Sequence, residues 1–325
     1  MKKCFRVVVS AAAVVTFALG AQGHERTRFR VIEPRPAGSV PESVATDGDN
    51  NLYYSDNATI RIHPQRGRDH VFSTLPIPVF ALGVKIGPDE CVYNTSVSLD
   101  PTVVGAFVWR SCEDGGTAEV FATLDPTGGP NDLAFDDRGN LFVTDPFLAR
   151  IWKVTPDGTA SVWLQDPLFA GNATTPFLGF APQGVNGIAF DEDKENLYVG
   201  NLDYGRVIRI PISRRGAAGR PKVVVESAQI QGIDGIAFDK DGDLYAAING
   251  QDKLVRISPR GRIETLAQGG VLDGPSSVAF GSKGRDKKTL YIASSAFTRT
   301  FGIQEGTPDP ALLSTEVDTK GLPLP

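Results

Sequence analysis

Short apolar runs and acidic turns alternate along this chain in one order that recurs six times. Residues 183–201, QGVNGIAFDEDKENLYVGN, show it most fully: Asn186, a glycine, an apolar run at 188–190, an acidic turn at 191–196 and a second apolar run at 197–199. Residues 41–55 (PESVATDGDNNLYYS), 130–144 (PNDLAFDDRGNLFVT) and 233–247 (IDGIAFDKDGDLYAA) follow the same plan, and 82–94 and 276–294 follow it more loosely. Aligning the strand openings places Glu42, Leu82, Asn131, Asn186, Asp234 and Ser276 at one shared position, with spacings of 40, 49, 55, 48 and 42 residues. A repeat of that length, carrying several short strands, predicts an all-β fold: a six-bladed β-propeller of four-stranded blades.

The stronger copies continue into a second strand pair. Residues 150–155 and 159–164 flank Pro156-Asp157-Gly158, and 253–257 and 263–267 flank a Ser-Pro-Arg-Gly turn, both good hairpin signals. The last copy offers two clear strands and a third at 311–317. The alternating segment 27–32 can supply the fourth, closing the ring and removing the open sheet edges. The acidic turns at 136–139 and 239–242 lack the spacing and closing Glu of a calcium-binding hand, so they read as hairpin turns. Two long connections, 94–105 and 165–182, fall on the face where the inner strands begin. Long loops in a compact domain usually bind or cover something, which makes Phe147, Phe169, Phe177 and Phe180 candidates for a partly apolar pocket wall.

Six repeats across 325 residues leave no room for a second domain, so residues 24–325 read as one propeller. A net charge of -5, with no basic stripe, argues against a nucleic-acid partner. Residues 1–23 combine Lys2, Lys3 and Arg6 with an apolar run at 7–19 that is short for a membrane span, followed by small-residue cleavage sites ending at Gly20 or Gly23. That is the pattern of a secretory signal peptide, so the mature protein is expected in the periplasm or outside the cell, free of the membrane. Cleavage removes Cys4 and leaves Cys91 and Cys112, an even pair that export favours as a disulfide over two free thiols. The three histidines, His24, His63 and His70, read as surface residues, the last two in the polar turn after Ile62.

The innermost strand of each blade runs along the central channel, so its opening residue faces the axis. Four of the six such positions carry side-chain oxygens: Glu42, Asn131, Asn186 and Asp234. Two carboxylates and two amide carbonyls form a hard-oxygen donor set, and two converging carboxylates would repel each other without a cation. A lone Asn or Asp before a strand more often caps its own backbone. Four in one register favour a metal.

The segments PESVATD, PNDLAFDDRGNLFVTD, VNGIAFD and IDGIAFD resemble the strand-opening motifs of the senescence marker protein/gluconolactonase family, six-bladed propellers that include regucalcin. The resemblance covers nearly the whole mature chain. It implies a divalent metal near the axis, usually calcium, with magnesium, manganese or zinc as alternatives, held by Glu42, Asn131, Asn186 and Asp234. It also implies hydrolysis of a lactone, a related ester or a phosphotriester, with Asp234 as nucleophile or base and Asn131 and Asn186 positioning substrate. Sugar-lactone members carry an Arg two residues before the position of Asn131, where this chain has Gly129, so a polyhydroxylated substrate is not implied. The competing reading is a non-catalytic ligand- or protein-binding propeller with a structural calcium ion. In either case a closed ring needs no partner subunit, and a monomer acting on a small molecule is expected.

Overall fold

The computed structural model describes residues 27–98, 100, 102–179 and 181–323. The proposed signal segment lies outside the described residues. Six antiparallel sheets form a six-bladed propeller, with almost no helix. The inner strands, in chain order, are Val44–Thr46, Phe80–Ile86, Leu133–Phe135, Val185–Phe190, Ile233–Phe238 and Pro275–Phe280. Each pairs with the strand that follows it, so every acidic turn is a hairpin turn. At Asp136 the turn uses its own carboxylate: Oδ1 accepts from the backbone N–H groups of Arg138 and Asn140, and Oδ2 from Asn140 Nδ2.

The blade of the last repeat runs Pro275–Phe280, Thr289–Ser294, Ala311–Glu316 and, on the outside, the N-terminal strand Phe29–Pro34. That strand starts two residues later than the pattern suggested. Beyond it, Arg35 makes an ion pair with Asp56 at 2.8 Å and another with Asp69 at 3.4 Å, tying the segment to the first blade. Asp69 also accepts from Tyr54 and Arg61. In the second blade, the second strand reaches Val97, so the connection expected over 94–105 is shorter than anticipated. A two-residue strand, Gly116–Thr117, from that blade's outer hairpin adds in parallel to His70–Thr74 of the first blade.

Apolar side chains fill wedges between neighbouring blades rather than one central core. Tyr93, Val108 and Cys91 of the second blade pack with Leu133, Leu141 and Trp152 of the third. Phe142 and Ile151 of the third pack with Ile188 and Val199 of the fourth. A strand buried on both faces needs near-continuous apolar residues, which is what LFV, LYV and LYAA supply. Cys91 and Cys112 form a disulfide that bridges the ends of paired strands in the second blade, with Cα atoms 4.4 Å apart. His63 and His70 close and open strands on either side of the polar turn, rather than lying within it.

Candidate active site

Backbone irregularities aim the candidate ligands at the axis. Strand pairing skips from Val185 to Ile188 and from Ile233 to Ile236, leaving Asn186-Gly187 and Asp234-Gly235 as bulges in otherwise regular ladders. A bulge takes residues out of the ladder and redirects their side chains. The glycines are needed because the inner strands converge there. A Cβ on Gly187 would sit 2.1 Å from the Asp234 carbonyl oxygen, and one on Gly235 would sit 2.6 Å from Ser277 Cα. Glu42 and Asn131 stand two residues ahead of their short strands.

Hydroxyl groups from adjacent blades then fix the ligand backbones. Thr95 Oγ1 donates to the Asn131 carbonyl, Thr144 Oγ1 to the Asn186 carbonyl at 2.5 Å, and Ser276 Oγ to the Glu42 carbonyl at 2.7 Å. Each ligand so held is positioned by the blade before it in the ring.

All four side chains line one cavity at the channel mouth, about 100 Å³ in volume for the centres of water molecules. Asp234 and Asn186 are buried, while Glu42 and Asn131 are partly open to it. Asp234 Oδ2 accepts from Asn249 Nδ2 at 3.1 Å. Asn186 Oδ1 is buried with no hydrogen-bond partner, a costly state for a carbonyl oxygen. Burial raises the pKa of Glu42 well above the usual carboxylate range, and Asp234 and Asp132 raise it further. Burial also pushes Asp234 up, to about 8, with Asp132 adding to the rise and the Asn249 bond opposing it. An orphaned amide oxygen beside two carboxyls that resist ionising together is the environment a hard divalent cation would satisfy. The residues therefore fit calcium or a similar ion.

Two participants are absent from the sequence reading. Asn249 orients Asp234. Asp132 is a third buried carboxylate, receiving Lys85 Nζ at 3.2 Å, its own Leu133 N–H at 2.8 Å and the Ile188 N–H at 3.2 Å. Its signal was available, because the position after the ligand is Ser or Gly in the other five repeats: Ser43, Gly83, Gly187, Gly235 and Ser277.

The aromatic candidates separate. Phe147 lines the cavity, and its ring stands where a side chain on Gly129 would project, 2.6 Å from that Cβ position. Phe177 does not line it. Its ring packs over Gly232 and Gly250, and Leu178 reaches the cavity instead. The cause is Asp203, whose buried carboxylate accepts from the N–H groups of Asn172, Phe177 and Gln183, each at 2.8 Å, and folds the loop back. Phe169 is wholly buried between the third and fourth blades, and Phe180 lies outside the described residues. His63 and His70 are remote from the cavity: His63 lies near Glu33, and His70 is exposed and bonded to Asp114.

A closed ring of six sheets, with side-chain oxygens from four blades meeting at one channel mouth, defines a propeller with a polar centre set in a largely apolar cavity. Residues 40–296 match the family described as SMP-30/Gluconolactonase/LRE-like region, and the chain belongs to that family. It is 33% identical over 290 residues to a 6-deoxy-6-sulfogluconolactonase of Pseudomonas putida, covering 85% of this chain and 89% of that one. Among solved structures, a calcium-binding regucalcin from Agrobacterium tumefaciens is similar with a TM-score of 0.66 at 19% identity, covering 92% of this chain and 97% of that one. A gluconolactonase from Xanthomonas campestris aligns with a TM-score of 0.65 at 17% identity over 90% of each chain. These two likenesses concern the fold.

Proposed function

We propose that this chain hydrolyses lactones outside the cytoplasm, using a divalent cation, with calcium the first choice, held by Glu42, Asn131, Asn186 and Asp234. The observation that carries the reading is the meeting of these four oxygen-bearing side chains in one cavity, in a chain 33% identical to a lactonase over most of both lengths. Export is supported by the signal-like residues 1–23 and by the Cys91–Cys112 disulfide.

When bound, the cation supplies Lewis-acid polarisation of the lactone carbonyl. Asn131 and Asn186 orient the substrate oxygen through their carboxamides. Asn249 holds Asp234 Oδ2 and thereby fixes the plane of the carboxyl group. As a base, Asp234 takes a proton from water while the water oxygen adds to the carbonyl carbon; the acyl C–O bond of the ring then breaks. The proton returns to the departing ring oxygen, and the product is a hydroxy acid. As a nucleophile, Asp234 attacks the same carbon and breaks the same bond to give a mixed anhydride; water then adds at the Asp234 Cγ, gives a proton to the ring alkoxide and releases the hydroxy acid.

Purified mature protein and Asp234→Ala are to be assayed on γ- and δ-lactones and aryl esters, with calcium and with chelator. Turnover that needs both calcium and Asp234 supports the reading. No turnover of any substrate, alongside a calcium-induced rise in melting temperature, overturns it in favour of a binding propeller with a structural ion. Single-turnover hydrolysis in ¹⁸O-water separates the two routes, since only nucleophilic attack labels Asp234.

A further inference from the structure

The polar atoms of the cavity gather chiefly at its floor, and its walls are apolar except for Gln183 and Ser295. Glu42, Asn131, Asn186, Asp234 and Asn249 form the floor. Val40, Phe80, Val97, Phe147, Leu178 and Phe297 form the walls, contributed by separate parts of the ring. Phe80 and Phe297 each pack against Phe301, at 6.0 and 4.7 Å between ring centroids, which fixes an aromatic rim on that side.

Beyond the Gln183 carboxamide, little remains on the walls for binding a polyol. Gly129 presents no side chain, and the Phe147 ring occupies the space above it. Ser295 spends its hydroxyl on the Gly274 carbonyl at 2.7 Å. No Arg, Lys or His lines the cavity among the described residues, so an anionic substituent would meet no counter-charge. A substrate hydroxyl buried against these walls away from Gln183 would lose its water without gaining a partner, a net penalty, whereas each methylene would gain by leaving water.

We propose, on the basis of the lactonase reading above, that the preferred substrates are lactones whose ring carries an alkyl or aryl substituent, and that sugar lactones are poor substrates. The lactone carbonyl faces the oxygen-rich floor, and the substituent lies between Phe147 on one side and the rim of Phe80 and Phe297 on the other. Specificity rests on the walls, chiefly on Phe147, while the floor is indifferent to the substituent.

The test compares δ-hexalactone, δ-octalactone, δ-decalactone and glucono-δ-lactone in kcat/KM, with wild type and Phe147→Ser in saturating calcium. The expected result is a rise of roughly fourfold per added methylene until the walls are filled. Wild type should prefer δ-decalactone to glucono-δ-lactone by at least tenfold, and Phe147→Ser should shrink that preference several-fold, chiefly through KM. Equal or better turnover of glucono-δ-lactone overturns the proposal and leaves the lactonase reading standing. Calorimetry with the matching δ-lactams, alkyl-substituted and polyhydroxylated, gives a readout independent of turnover. Tighter binding of the alkyl lactam supports the apolar-wall assignment even where no lactone is hydrolysed. Tighter binding of the polyhydroxylated lactam refutes it.

Discussion

Replacing the proposed catalytic carboxylate should stabilise the metal-free protein. In the folded chain, burial and the facing Asp132 carboxylate push Asp234 from an ordinary value of 3.8 up to about 8. A carboxyl whose folded pKa is raised favours the folded state below its unfolded pKa, and that contribution is lost as pH rises through the folded value. Between pH 4 and 7 the unfolded chain gives up this proton while the folded chain keeps it. At about 1.36 kcal/mol per pH unit over roughly three units, the penalty carried by wild type at pH 7 is up to about 4 kcal/mol. The carboxamide that Asp234→Asn introduces has no charge to withhold, and its oxygen can still accept from Asn249.

Asp234→Asn in chelator should therefore match wild type near pH 4 and exceed it by about 2–4 kcal/mol at pH 7. Urea denaturation at both values measures this, since titrating groups remote from Asp234 cancel in the difference, and relief of the Asp234 repulsion on Glu42 acts in the same direction. Calcium should close this gap by stabilising wild type through mass action, by about 2.7 kcal/mol at a hundredfold excess over Kd and about 4.1 kcal/mol at a thousandfold excess, and the variant much less. A variant that is equal to or weaker than wild type at pH 7 in chelator would refute the electrostatic account of the cavity.

Three further outcomes follow from the geometry. Asp203→Ala removes the acceptor of three backbone N–H groups, one buried and two part-buried, and should cost about 2–4 kcal/mol, with faster proteolysis between residues 172 and 183. Gly187→Ala forces a Cβ into the Asp234 carbonyl; the shift should cost about 1–3 kcal/mol and weaken calcium-dependent stabilisation measured by thermal denaturation. Reducing Cys91–Cys112, or replacing both with Ser, opens a link between residues 21 apart and should cost about 3 kcal/mol in urea denaturation.

The sequence made the fold legible because each blade repeats one buried pattern, and it marked the candidate ligands because they share one register of that pattern. Asp132 and Asn249 were less accessible. Asp132 owes its burial to Lys85 in the preceding blade and to the N–H of Ile188 in the following one, contacts that no single repeat contains. The bulges were marked only by glycines, which turns use equally. Phe177 packs away from the cavity because the loop it occupies is folded by Asp203, a residue 26 positions away whose three backbone bonds have no signature in composition. Local periodicity encodes the strands. The loops depend on partners that only the closed ring brings near.

The hydroxyl bonds between blades make the centre a property of the finished circle. Glu42, near the start of the described chain, is held through its carbonyl by Ser276, 234 residues later, across the seam between first and last blades. Asn131 and Asn186 are seated by neighbours in the same way. A nascent or truncated chain with five good blades thus carries no five-sixths of a site, since removing any blade also strips a support or a ligand from the next. Under the cation reading proposed above, affinity for the ion would gauge completed assembly, and a chain released with its seam open would be recognisable by failing to hold it, before any substrate is offered.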